Sequence, residues 1–253
     1  MPTPILYATN VLEGAVFTLT PEGPAAGRGV ERLADRDIGI ECEDQGVAGT
    51  RTWAADRGLD APTPTVDAWV LAGAGYAGET LTLESSSDGA SWTPRGTVTP
   101  TADTPQRVAV TPFAVPRYVR WRVTDPAVPV RLTEVTLAPG TSLTFPPTAR
   151  YTREPTIPNV TLRASQSGRG WGVQRGARRW STLYTLLVAP ETDRTALYAL
   201  LDTLQDGVKP CWLVDVQGVL RWVRLSGEII LEAAQGLPTD HWTIPLNFVE
   251  ELP

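Results

Sequence analysis

The chain has one lysine, one histidine, one methionine and two cysteines in 253 residues. With Lys209 as the sole lysine, arginine supplies nearly all of the 22 basic side chains, and its planar fork suits subunit contacts. His241 sits beside Trp242 in a strand-like stretch with no second His or Cys nearby, which excludes ordinary zinc-ligand spacing and leaves it structural. Cys42 and Cys211 fall in different halves, so no disulfide framework is expected and both read as free, buried thiols. No stretch approaches about 18 consecutive apolar residues, so no spanning helix is expected. The first ten residues, MPTPILYATN, have neither a basic run nor an apolar core and do not read as a signal peptide. A soluble product made in the cytoplasm is the expectation. The net charge of −6 argues against a general nucleic-acid binder.

Catalytic signatures are missing too. There is no G-x-S-x-G, no phosphate loop and no C-x-x-C. Gly73–Gly78 (GAGYAG) has the spacing of a dinucleotide loop but lacks the helix that must follow it. The carboxylate pairs Glu41/Glu43 and Glu250/Glu251 read as solvated edges rather than an acid/base pair. A protein that is not an enzyme is expected.

What the chain does have is 42% hydrophobic residues, nine Trp, 22 Gly and 23 Pro against only 20% charged residues. That mix fits a mainly β protein with many turns. Val66–Trp92 carries the strongest pattern. Val66, Ala68, Val70 and Ala72 alternate with Asp67, Trp69 and Leu71; a glycine loop follows; then Leu81, Leu83 and Ser85 alternate with Thr80, Thr82 and Glu84. Asp88-Gly89 supplies a tight turn, since Gly accepts positive φ without steric cost. Further strands are expected at 15–19, 39–43, 96–99, 106–110, 117–123 and 130–137. The tandem prolines after Phe145 read as a stiff link, which puts a domain boundary near 142.

Beyond it, Asn159–Ala164 and Trp180–Ala189 read as strands around a polar, glycine-rich reach. Glu191–Asp206 is the one convincing helix. Ala196, Leu197, Leu200, Leu201 and Leu204 make its apolar stripe, Pro190 suits its first turn, and Gly207 with Pro210 stops it. Strands at 211–216, 220–231 and 241–249 complete the pattern.

The first block resembles the discoidin family, also called coagulation factor 5/8 C-type or galactose-binding-like. The likeness rests on Asp67–Leu71, Leu81–Gly89 with Trp92 ("S-x-DG-x-x-W"), Arg117–Val123 ("RYVR") and Leu132–Val135 ("L-x-EV"). It implies a jelly-roll-like β-sandwich over residues 1–142. The second block resembles the hub domain of phage distal tail proteins and their tail-tube relatives. That likeness rests on a helix followed by Gly207–Val214, on Trp222–Glu228 and on Trp242–Phe248. It implies a β-sandwich or barrel with one flanking helix over residues 143–253, assembling into a ring. Known distal tail proteins carry the ring domain first; here the order is reversed.

Together the two resemblances imply a virion protein of a tailed phage, assembled in the host cytoplasm and sited at the distal tail or baseplate ring. Its partners would be five further copies in a hexamer, the tail tube, the tail-tip hub proteins, and fibres or host glycans. No membrane insertion and no specific nucleic acid are expected. A glycan-binding adhesin is the alternative. Trp53, Tyr76 and Trp92 fall in expected loops or turns and are the candidate glycan contacts, because an aromatic face can stack on a sugar ring. The competing reading puts Trp53 in the core and Trp92 under its own turn. No cofactor is expected, although discoidin-like sandwiches sometimes hold a structural calcium, for which loop residues Asp35, Asp37, Asp44 and Asp56 are the candidates. Arg169, Trp171, Arg175, Arg178 and Arg179 lie in the glycine-rich reach. They are expected to order against a neighbouring subunit rather than line a DNA-conducting lumen, where they would drag on phosphates.

Overall fold

The computed structural model describes residues 3–20, 30, 33–36, 42–43, 49–124, 126–143, 160–164, 170–174, 181–188, 190–204, 209–226, 232–233 and 242–251. The chain divides into two compact units, Ile5–Thr141 and Ser142–Leu252, the latter including Met1–Pro4.

In chain order the first unit contributes β1 (Ile5–Tyr7), β2 (Val16–Thr20), β3 (Cys42–Glu43), β4 (Arg51–Asp56), β5 (Thr65–Ala74), β6 (Leu81–Ser86), β7 (Thr93–Val98), β8 (Gln106–Ala114), β9 (Tyr118–Val123) and β10 (Arg131–Ala138), with β11 (Thr141–Ser142) at its end. Two antiparallel sheets form the sandwich, ordered β2-β4-β9-β6-β7 and β3-β10-β5-β8. Alternation produces this directly. In β9, Val119, Trp121 and Val123 are buried while Tyr118, Arg120 and Arg122 are half-buried on the other face. The core holds Trp53, Trp69 and Trp121, with Trp53 directly opposite Trp121 across β4 and β9. All three are essentially inaccessible, and their indole N–H groups have no hydrogen-bond partner. Their aromatic area outweighs that cost, since burying one such ring stabilises by a few kcal/mol, about twice the penalty of one unmet donor.

β5 and β10 are buried on both faces. Trp69 and Leu71 enter the core, while Ala68, Val70 and Ala72 on the opposite face are also covered, as are Glu134, Thr136 and Ala138 beside them. The segment at Asn10–Leu12 is part of that cover. The Val11 N–H donates to the Leu137 carbonyl at 3.0 Å. Arg57 clamps the same segment, donating to the carbonyls of Val11, Val115, Pro116 and Pro62.

The second unit contains β12 (Val160–Ala164), β13 (Gly170–Gln174), β14 (Ser181–Val188), α1 (Pro190–Thr203), β15 (Cys211–Val214), β16 (Leu220–Leu225), β17 (Glu232–Ala233) and β18 (Trp242–Glu250). β15-β16-β18-β14 form one antiparallel run, with β17 also on β18. β14 and β18 pair over eight residues without a shift, from Ser181↔Val249 to Val188↔Trp242. β12 and β13 pair with each other over five positions and with no other described strand. Leu197, Leu201 and Leu204 of the helical stripe are buried, whereas Tyr198 is 47% exposed.

The mainly β class with one helix therefore holds for the described residues. They close into no barrel, so the barrel half of the expectation for the second unit is corrected: β14 is the last described strand of its sheet. The helix starts one residue earlier than the pattern predicts and ends at Thr203, whose hydroxyl donates back to the Ala199 carbonyl at 2.8 Å.

Candidate functional site

The three aromatic residues expected to meet a glycan do not come together. Trp53 lies in β4, not in a loop, and is wholly enclosed. The strand escapes the sequence pattern because Ala54, Ala55 and Arg51 blur the alternation. Tyr76 is also enclosed, although it sits in the glycine loop. Asp103 accounts for this: its Oδ1 accepts the N–H of Tyr76 at 3.0 Å and of Ala77 at 2.9 Å, folding the loop inward. The Tyr76 hydroxyl then donates to the Thr104 carbonyl at 2.9 Å. Burial pushes that phenol well above its ordinary value, and it stays neutral. Neither ring can stack on a sugar, and both assignments are corrected.

Trp92 alone is part-exposed. The turn before it is built by Ser86 and Asp88. Ser86 Oγ accepts the Gly89 N–H at 2.9 Å, and Asp88 Oδ1 accepts those of Ala90 and Ser91, each at 2.8 Å. The donated Ser91 and Ala90 N–H groups hold the Asp88 carboxyl well below the usual range. Gly89, at φ 74, lies against the Tyr118 ring. The returning chain sets Trp92 over β9, where the Arg120 guanidinium stands 4.0 Å from its ring centroid.

Register completes the cluster. Glu84 of β6 faces Arg120 of β9, with Arg122 two residues on. Arg120 Nε donates to Glu84 Oε2 at 2.6 Å, and Arg122 Nη2 lies 3.4 Å from Oε1. Glu84 is 6% exposed while Arg122 is 42% exposed. The outer face of this sheet thus presents one partly covered indole, a satisfied Glu84–Arg120 pair and a half-free Arg122. It is a polar surface capable of hydrogen bonding and limited stacking.

Of the four cation candidates, Asp35 and Asp56 are described. Asp37 and Asp44 lie outside the described residues. Asp56 is taken by Arg117 in a two-pronged pair, both contacts 2.7 Å, and by the Gly58 N–H. The Arg117 hydrogen bond holds its carboxyl down at about 2. Among the described residues no group of three or more acidic, His or Cys side chains gathers.

Among the described residues the most enclosed carboxylate is one the sequence did not single out as a site, Glu134. Its Oε1 accepts from Asn10 Nδ2 and Thr136 Oγ1, each at 3.1 Å, and its Oε2 accepts the Arg36 N–H at 3.0 Å. Asn10 Oδ1 accepts the N–H groups of Leu12 and Leu137, which fixes the amide with its donors toward Glu134. A cation needs converging oxygens; these residues point N–H and O–H donors at the carboxylate and do not fit one.

Of the arginine reach, Arg169, Arg175, Arg178 and Arg179 lie outside the described residues, as does His241. Trp171 falls in β13, opposite Arg163 of β12. The reach therefore contains a strand where the sequence read as irregular, because Gly170 and Gly172 hide it.

No family model and no curated protein matches the chain. Solved structures similar to it include chitosan-binding module 1 from a chitosanase/glucanase of Paenibacillus sp. IK-5, at 21% identity over 51% of this chain and 98% of that chain, TM-score 0.43. Chitosan-binding module 2 of the same enzyme, in complex with chitotriose, is 16% identical over 51% and 99%, TM-score 0.44. CpGH89CBM32-5 from Clostridium perfringens, in complex with GalNAc-beta-1,3-galactose, is 10% identical over 51% and 99%, TM-score 0.44.

Proposed function

We propose that the chain is an assembly subunit of a tailed-phage tail tip, of distal-tail or baseplate-ring type. Its second unit would make a ring joining the tail tube to the tip complex, and its first would carry a sandwich for fibres or host glycans. The observation that carries this reading is the β12–β13 hairpin, whose strands have no partner but each other among the described strands. A lone two-stranded hairpin is marginal in water and gains its stability from packing elsewhere. The tail-hub resemblance of residues 143–253 supplies the kind of neighbour: another copy, in a hexamer.

Light scattering on the full chain, with images of the particles formed, tests it. Rings of six are expected, and replacing residues 160–174 with a short Gly-Ser turn should return the mass to that of one chain while the Trp fluorescence of the first unit persists. An assembled tail in which this chain never touches its own copies refutes the reading.

The second reading, glycan recognition by the first unit, is favoured by one feature, the part-exposed Trp92 stacked over Arg120. Trp92→Ala is the informative variant, because Trp53→Ala and Tyr76→Ala would test the core instead. If the indole stacks on a sugar, binding on a glycan array should fall at least tenfold in Trp92→Ala with the fold intact. No binding by the parent chain removes the reading.

A further inference from the structure

The outward face of the sheet β2-β4-β9-β6-β7 carries more than the Trp92 cluster. Strand register sets Thr20 of β2 opposite Thr52 of β4, Thr52 opposite Arg122 of β9, Arg122 opposite Thr82 of β6, and Thr82 opposite Thr97 of β7. One row thus crosses all five strands, with four threonines and a single arginine at its centre. Alternation turns the row outward, because Leu19, Trp53, Trp121 and Leu83, the chain neighbours of its members, are buried in the core. Thr20 and Thr97 are exposed, and Thr52 and Thr82 are half-buried. Neighbouring strands lie about 4.8 Å apart, so the row is a strip about 19 Å long.

Charge is unevenly shared on this strip. Among the described residues Glu84 is the one acid in contact with Arg122. Its Oε2 is taken by Arg120 at 2.6 Å, and only Oε1, 3.4 Å from Nη2, faces Arg122. One enclosed carboxylate therefore stands against two guanidinium groups, and the closer contact goes to the less exposed of them. Arg122 keeps most of its five N–H donors for solvent. No member of its row is acidic. In the next row, two residues back along β9, the Trp92 indole lies over Arg120.

A strip of this kind fits a ligand with many hydroxyls and sparse negative charge. A nucleic acid carries about one charge per 3.4 Å of strand, which one half-free cation does not balance. A neutral sugar leaves the guanidinium without the acceptor it matches best, whereas a carboxylate meets it with two parallel N–H···O bonds. Threonine hydroxyls both donate and accept, as sugar hydroxyls do. We propose that the row of Thr20, Thr52, Arg122, Thr82 and Thr97 binds an acidic oligosaccharide, with the carboxylate of a uronate or sialate on Arg122 and neutral sugar hydroxyls on the flanking threonines. This deepens the glycan reading of the first unit and rests on it.

An array of uronate- and sialate-bearing oligosaccharides, each printed beside its carboxyl-reduced form, tests it with the full chain. The parent should bind at least one acidic member about tenfold more tightly than its reduced form, and the preference should shrink as salt rises. Arg122→Gln should abolish the preference and leave binding to the reduced form unchanged, since the Glu84–Arg120 pair does not depend on it. Arg122→Lys keeps the charge but not the fork and should give up part of the preference. Thr52→Val and Thr82→Val keep the branched shape that suits a strand and should weaken acidic and reduced forms alike, by about fivefold each. Denaturation midpoints establish that each variant is folded. Equal binding of acidic and reduced forms by the parent overturns the proposal while the glycan reading survives. A preference that persists in folded Arg122→Gln puts the carboxylate elsewhere and overturns it too. No binding to any member removes both.

Discussion

Gly73→Ala should unfold the first unit or cost it more than about 4 kcal/mol, whereas Gly78→Ala should cost about 1–2 kcal/mol. Gly73 is the penultimate residue of β5 and Gly78 lies in the loop that follows, and both have φ in the region that disfavours side chains, 154° and 84°. The difference is what a Cβ would meet. At Gly78 there is nothing within 4 Å, so only the backbone preference is lost. At Gly73 the new atom would lie 1.9 Å from the Arg131 carbonyl oxygen and 2.9 Å from Leu132 Cα. Those are main-chain atoms of β10, paired opposite Gly73 and Ala74, and the ladder shifts register just beyond them at Leu132/Glu134. Relieving the clash means separating β5 from β10, the two inner strands of their sheet, at the end of their ladder. Chemical denaturation of the full chain, followed by Trp fluorescence, checks this, since Trp53, Trp69 and Trp121 all report on this unit. Equal stabilities for the two variants would show that the close approach of β5 to β10 does not exist in solution.

The same loop shows where a sequence is readable and where it is not. Alternation in Val66–Ala72, Leu81–Ser85 and Tyr118–Val123 locates three central strands of the sandwich, because a period of two records which face is buried. It says nothing of Tyr76. Three glycines around one tyrosine look like an exposed tip, and the fact that encloses it is a hydrogen bond from its N–H to a residue 27 positions away, Asp103. β4 was hidden for a related reason: its small alanines sit between β2 and β9, and only that placement makes Trp53 a core residue. The helix was legible to within a few residues because its stripe is local. The single strand-like run Trp180–Ala189 gave β14, but whether a strand is central or terminal depends on pairings no local pattern encodes. In the sequence Glu134 is one letter of an "L-x-EV" strand. Its enclosure depends on Asn10, 124 residues earlier in the chain.

Glu134 should make the first unit lose stability as pH rises from about 4.5 toward 8, and Glu134→Gln should flatten that slope. Burial lifts the carboxyl to about 8 in the fold; the Thr136 and Arg36 hydrogen bonds pull it the other way, Asp35 adds to the rise, and the Arg36 charge opposes it. The groups around it are Asp35, Arg36 and Glu13, whose Oε1 lies 2.5 Å from Arg36 Nε. The unfolded chain releases this proton near 4.5. Between the two values the folded form holds a proton that the unfolded form does not. Stability from this group is therefore complete below 4.5, declines through the interval and levels off above 8; one proton corresponds to a slope of about 1.4 kcal/mol per pH unit at most. Asp56 acts in the opposite sense and elsewhere. Its carboxyl, held near 2, contributes above its unfolded value of 3.8, and that contribution is lost as pH falls through 2. The two limbs do not overlap, so denaturation midpoints at pH 5, 6, 7 and 8 isolate Glu134. The Gln variant keeps an acceptor for Asn10 and Thr136 but turns an N–H toward that of Arg36, which costs about 1–3 kcal/mol at every pH. Lower stability with a flat profile is therefore its signature. A parent chain whose midpoint does not move across that range would mean that Glu134 is ionised throughout, with its three donated hydrogen bonds outweighing the enclosure.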